Sequence, residues 1–174
     1  MPNVVDATTQ ATPMTLMQLG EEVPYNLKQL IVGNIPGSIG ESSAILIVLA
    51  AIYLIYKKTA SWKIMVSTSI GMLGIESIFS LMGISNFSNP FMAILSGGFL
   101  LAVVFMATDP VTAPSQGNVK IIFGLLIGII ASVIRSYSVF PEGVMFAILI
   151  VNSFVPLMDS IAKNTRIKGK KVTI

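Results

Sequence analysis

The chain has no cysteine and no histidine, and charge is scarce: 11 Lys and Arg and 8 Asp and Glu among 174 residues. Without Cys it forms no disulfide, holds no iron–sulfur cluster and offers no thiol nucleophile. Without His it lacks the commonest metal ligand and the side chain that shuttles protons near neutral pH. Redox work by this chain must therefore rest on a borrowed cofactor. A soluble domain carries about 25% charged residues, whereas this chain carries 11%. It cannot cover its own surface with polar groups, which excludes a soluble enzyme acting alone.

What fills the chain instead is apolar: 53% hydrophobic residues and a mean hydropathy of +0.82. These residues arrive in continuous runs rather than in strict alternation, so they read as membrane helices and not as a barrel. The expected fold is all-α membrane, with five spans of about twenty residues each. They cover 39–56, 62–82, 91–107, 120–139 and 143–158. A head of residues 1–38 precedes them and a basic tail of residues 161–174 follows. Within the head, Leu27, Leu30 and Ile31 share a helical face, as in a short interfacial helix over 26–34.

Lys and Arg set the orientation. Lys57, Lys58 and Lys63 flank the first connection, Lys120 follows the third span, and Lys163, Arg166, Lys168, Lys170 and Lys171 crowd the tail. The connections 83–90 and 138–143 carry neither residue type. The positive-inside rule places the N-terminus outside and the C-terminus in the cytoplasm. The tail cluster then reads as a membrane flank and not as a nucleic-acid patch. The head must lie outside, yet Met1–Gly20 has neither a basic start nor an apolar core of signal-peptide length. The expectation is a second half of a longer protein, or a partner to a separate N-terminal half.

Packing motifs are present in two spans. Gly124 and Gly128 form a GxxxG, and Ser67 and Gly71 form a small-xxx-small pair; both let helices approach closely. Ionisable groups inside a bilayer are functional candidates. Glu76, inside the second span, is the clearest. It and Arg135 lie toward the same membrane face, so a buried ion pair and a part in cation passage are both open. Asp159 closes the fifth span and reads as a helix-end residue.

Three irregular patches could carry chemistry. Gly37-Ser38-Ile39-Gly40-Glu41-Ser42 precedes a helix N-terminus, where free N–H groups attract anions; a flexible loop with a Ser cap is the plain alternative. Thr108-Asp109-Pro110-Val111-Thr112-Ala113-Pro114 breaks the helical pattern after an apolar run. It either lines a site or makes a rigid turn. Asp6-Ala7-Thr8-Thr9-Gln10-Ala11-Thr12-Pro13 is a polar loop with three threonines.

Taken together, these segments resemble the RnfD/NqrB family, membrane flavoprotein subunits of ion-translocating redox complexes. Phe105-Met106-Ala107-Thr108-Asp109-Pro110-Val111-Thr112 resembles one family signature, and Gly37-Ser38-Ile39-Gly40-Glu41-Ser42-Ser43 is similar to its GSxGExS segment. Ser61-Trp62-Lys63-Ile64 and Phe140-Pro141-Glu142-Gly143, followed by Ala147-Ile148-Leu149, match two more. The matches run in family order from Asp6 to Asp159 and cover the C-terminal half of a ten-helix fold of two related halves. An odd number of helices per half inverts the second repeat.

The resemblance implies FMN joined through its phosphate to Thr12, where Thr9-Gln10-Ala11-Thr12 stands in place of the family's [S/T]-G-A-T with Gln10 for Gly. It further implies a flavin pocket at Gly37, Ser38 and Gly40, contacts from Asp109 and Thr112, and a second, non-covalent flavin. Glu41 and Glu76 are the expected ion path. No metal is implied. The partners are other subunits of a membrane redox complex, the N-terminal half of the fold and the lipid bilayer, in a bacterial or archaeal cytoplasmic membrane. Thr112-Ala113-Pro114 is closer to the Rnf-type V-T-S-P, which favours an Rnf-type ferredoxin:NAD+ oxidoreductase subunit coupled to Na+ or H+ transport. The alternatives are the quinone-reductase member of the family, from a Na+-translocating NADH:quinone reductase, and a non-redox channel or transporter half on the same scaffold.

Overall fold

The structure, a computed structural model, describes residues 15–16, 27–33, 43–83, 90–95, 98–138 and 143–171, and among these every regular element is helical. Helix α1 (Leu27–Val32) is the short helix expected in the head, with Ile31 and Val32 exposed. Helix α2 (Ala44–Tyr56) has 13 residues and rises about 20 Å. Helices α3 (Trp62–Leu81) and α6 (Gly117–Tyr137), with 20 and 21 residues, are long and apolar enough to cross a membrane. So is the apolar part of α7 (Gly143–Lys171). The chain is a multi-pass α-helical membrane protein.

Between α3 and α6 the structure departs from the expected continuous span over 91–107. Helix α4 is described over Pro90–Leu95, and α5 (Phe99–Leu101) leads into a π-helical turn over Ala102–Met106. Gly98 opens α5 with φ +64°, a conformation that glycine adopts without steric strain. In the π-turn the Ala107 N–H donates to Ala102 O, one residue further back than in an α-helix. Such turns concentrate at functional sites.

The core of the bundle is the parallel pair α3 and α6, the most extensive helix contact among the described residues. The two small-residue motifs read from the sequence mate here. A Cβ on Gly71 would lie 2.7 Å from Leu125 O, and one on Gly128 would lie 2.6 Å from Met72 N. One on Gly124 would lie 2.9 Å from Ile64 O. The contact register thus advances together on both helices, from Ile64 against Gly124 to Met72 against Gly128. Parallel helices joined by one connection need that connection to return across the membrane. Segment 90–106 is therefore the return path, and the irregular backbone described in it, at Gly98 and Ala102–Met106, lies beside buried side chains, where such backbone is tolerated. Ala93, Phe99, Ala102, Val103 and Val104 are all buried.

Lipid offers no partner for polar atoms, and the Ser67, Thr68, Ser69 and Ser77 hydroxyls of α3 are satisfied within the helix. Thr68 Oγ1 donates to Ile64 O at 2.8 Å, Ser69 Oγ to Met65 O at 2.9 Å and Ser77 Oγ to Leu73 O at 2.6 Å. Helix α7 runs past the expected end at residue 158 and through Pro156 to Lys171, so much of the basic tail is helical. Ser115, just before α6, binds Asp159 near the far end of α7. Helices α6 and α7 therefore run antiparallel. Lys57, Lys58, Lys63, Lys120 and Lys163 all fall at one end of the bundle, and Glu76 and Arg135 fall toward the other.

Candidate functional site

Toward the end of the bundle away from the lysines, three polar side chains are completely buried: Glu76, Ser132 and Arg135. Glu76 sits just beyond the glycine contact on α3. Ser132 and Arg135 share a face of α6, being three residues apart. Ser132 Oγ donates to Glu76 Oε2 at 2.8 Å. Arg135 turns to the broken segment, where Nη1 donates to Ala93 O at 2.7 Å. The guanidinium thereby holds a backbone carbonyl of α4. Cζ of Arg135 also lies 5.6 Å from the centre of the Phe99 ring, on the far side of the break. One arginine thus touches both halves of the interrupted helix, while the neighbouring serine holds the carboxylate. Breaking a buried charged contact of this kind is strongly destabilising.

The second candidate region follows the π-turn. Thr108 is buried and donates to Val104 O at 2.6 Å. Asp109 folds the loop around itself, with Oδ2 accepting from Thr112 Oγ1 at 3.0 Å and from Thr112 N at 3.3 Å, and Oδ1 accepting from Val111 N at 3.4 Å. Asp109 and Thr112 are thus brought together, and the rigid-turn reading accounts for their mutual bonds. They also border a cleft of about 460 Å³ with Met106, Phe146, Leu149 and Asn152. Its walls are mainly apolar, and its size is that of a small-ligand site. Asn152 Oδ1 is buried there with no hydrogen-bond partner. Pro156 has no N–H to give the Asn152 carbonyl. A flat, largely apolar ring with an N–H donor, such as an isoalloxazine, fits this lining.

The loop is fastened to α7 by Ser115, whose N and Oγ both donate to Asp159 Oδ2, at 3.2 and 3.0 Å. Asp159 is thus a tie between elements, not a helix end. Of the other residues expected to act, Thr12, Gly37, Ser38, Gly40 and Glu41 lie outside the described residues, as do Phe140, Pro141 and Glu142. Sequence reading missed Ser132, Ser115 and Asn152. Each is a small polar residue in or beside a helix, and only the partner across the bundle reveals its part.

These elements define a class: a multi-pass helical membrane protein with an interrupted span and a buried carboxylate and guanidinium beside the interruption. Residues 1–168 match the model of the NQR2, RnfD, RnfE family, and the chain belongs to that family. It is 34% identical over 180 residues to the B component of the Na(+)-translocating NADH-quinone reductase of Klebsiella pneumoniae (strain 342), covering 95% of this chain and 44% of that protein. It is 38% identical over 155 residues to the component of the same name from Haemophilus influenzae (strain PittEE), covering 85% of this chain and 37% of that protein. The chain thus spans less than half the length of these curated relatives.

Proposed function

We propose that the chain is the C-terminal membrane portion of a subunit in an ion-translocating, NADH-linked oxidoreductase of the Nqr and Rnf kind, in a bacterial or archaeal cytoplasmic membrane. The observation that carries this reading is the match of nearly the whole chain to one family, joined to a buried Glu76 within a membrane-spanning helix. The names of the relatives support the quinone-reductase member; Thr112-Ala113-Pro114 is what remains in favour of the Rnf member. The other subunits and the N-terminal half of the fold are its partners, and no catalysis is expected from this chain alone.

In this reading Thr12 carries FMN as a phosphoester. The Thr12 hydroxyl oxygen takes the FMN phosphate of FAD in a transferase reaction, and AMP leaves. Flavin supplies one- and two-electron chemistry that the side chains lack. Gly37, Ser38 and Gly40 contribute to the pocket of that flavin. The Asp109–Thr112 loop and Asn152 hold a second, non-covalent one, with Asn152 Oδ1 accepting a ring N–H. Glu41 and Glu76 contribute carboxylates to the path of Na+ or H+. The Ser132 hydroxyl keeps the Glu76 carboxylate oriented, and Arg135 keeps the broken segment against it.

The test is to tag the chain in its native membrane, purify what assembles with it, and assay two reactions. NADH oxidation by quinone with uptake of Na+ or H+ into vesicles identifies the quinone-reductase member; ferredoxin oxidation by NAD+ identifies the Rnf member. An assembly with neither activity and no bound flavin would leave the channel or transporter reading in its place.

A further inference from the structure

At the lysine-rich end of the bundle a cleft of about 410 Å³ opens between the α2–α3 connection and the loop before α6. Lys58 and Lys120 both line it, with Ser61, Trp62 and Pro110, and among the described residues no Asp or Glu does. Lys58 is set in place by its backbone. It takes φ +57°, the only positive φ outside glycine among the described residues. Its N–H donates to Ile55 O at 2.9 Å, and the next N–H, of Thr59, returns to Leu54 O at 3.1 Å. Asp159 binds Ser115 at the margin through Oδ2, and Lys57 is drawn away over the Tyr53 ring.

Two further sources of positive potential face the same end. Helices α3 and α6 both begin there, and neither Ser61 nor Gln116 caps its helix with a side-chain hydrogen bond. Lys63 Nζ reaches to about 3.0 Å from the position of a Cβ on Gly117, at the start of α6. Two lysines in one cleft, a third beside it and two helix N-termini form a concentration of positive charge that no described residue lining the cleft offsets. In a bilayer this is the arrangement that recognises an anionic headgroup. Trp62 is 55% exposed at the same rim, as expected for an indole at the lipid–water boundary.

We propose that this cleft is a binding site for the phosphate of an anionic phospholipid, with Lys58 and Lys120 as its ligands, Ser61 as a hydrogen-bond donor and Trp62 against the glycerol region. The site is independent of the redox reading and belongs to the scaffold.

Trp62 is the only tryptophan, which gives the site its own reporter. The full chain is reconstituted in phosphatidylcholine vesicles containing phosphatidylglycerol spin-labelled near the headgroup, and quenching of Trp62 is followed as the labelled lipid is raised. The wild type is expected to prefer phosphatidylglycerol over equally labelled phosphatidylcholine. Each lysine near the surface is worth roughly a fivefold change in affinity. K58A/K120A should therefore lower the preference by about 30-fold, while K57A leaves it unchanged. Should the double variant fail to fold by circular dichroism, K58A and K120A singly are expected to lower it about fivefold each. A wild type with no preference overturns the proposal, as does a folded double variant that keeps it. Relief of quenching by inorganic phosphate at matched concentration would make the ligand a free anion and overturn the lipid assignment.

Discussion

Gly128→Ala tests the helix pair on which the rest of the structure is hung. The added Cβ would lie 2.6 Å from Met72 N and 3.0 Å from Gly71 C, both backbone atoms that no rotamer change can move. Ordinary contact begins near 3.4 Å, so α3 and α6 must part by close to 1 Å. Overpacking of this kind costs about 1–3 kcal/mol. A gap of that width also forfeits about a quarter to a half of each dispersion contact along the seam. One turn further on, the 2.8 Å bond from Ser132 to Glu76 would stretch beyond hydrogen-bonding range. For a chain of this length each kcal/mol moves the midpoint by about 2–4 °C, so thermal unfolding in detergent should fall by about 2–12 °C. Gly74→Ala on α3 is the control, because its Cβ would meet nothing within 4 Å; it should stay within about 0.5 kcal/mol of the wild type. Equal midpoints for the two variants would refute the close approach.

Three further outcomes follow from the buried junction and the loop. Glu76→Gln keeps an acceptor for Ser132, so the fold should persist while ions moved per electron fall in the assembled complex; an unchanged ratio of ions to electrons makes Glu76 structural. Arg135→Leu removes the donor to Ala93 O and the charge over the Phe99 ring, lowering stability by about 1–3 kcal/mol, with hydrogen exchange rising first in 90–95 and 98–106. Asp159→Ala strips Ser115 of both contacts and should open the loop 109–116 to proteolysis, whereas Asp159→Asn, which keeps one acceptor oxygen, should protect it partly.

The spans and the close-packing motifs were readable because both are local patterns: runs of apolar residues, and small residues four apart. That Ser67-Gly71 meets Gly124-Gly128 is not local, since each motif is equally compatible with any other helix or with lipid. The break near Gly98 was hidden by hydropathy, which averages over Phe91–Ala107 and counts glycine as no obstacle. Arg135 stood out as a charge in an apolar run, but its acceptor, Ala93 O, is a backbone atom that no sequence pattern marks. The last span was expected over 143–158, and the helix that carries it extends beyond, through Pro156 to Lys171. The proline removes only one donor, to Asn152 O, and the helix continues through it. Motifs in the head, with Thr12 among them, were recognised by resemblance and not by any pattern of burial or charge.

A flavin held on the head of this membrane scaffold is tested by peptide mapping of the chain by mass spectrometry after coexpression with a flavin transferase. FMN is expected on the peptide containing Thr12, lost in Thr12→Ala and kept in Thr9→Ala. An unmodified Thr12 peptide, under conditions that label a known acceptor, would contradict it.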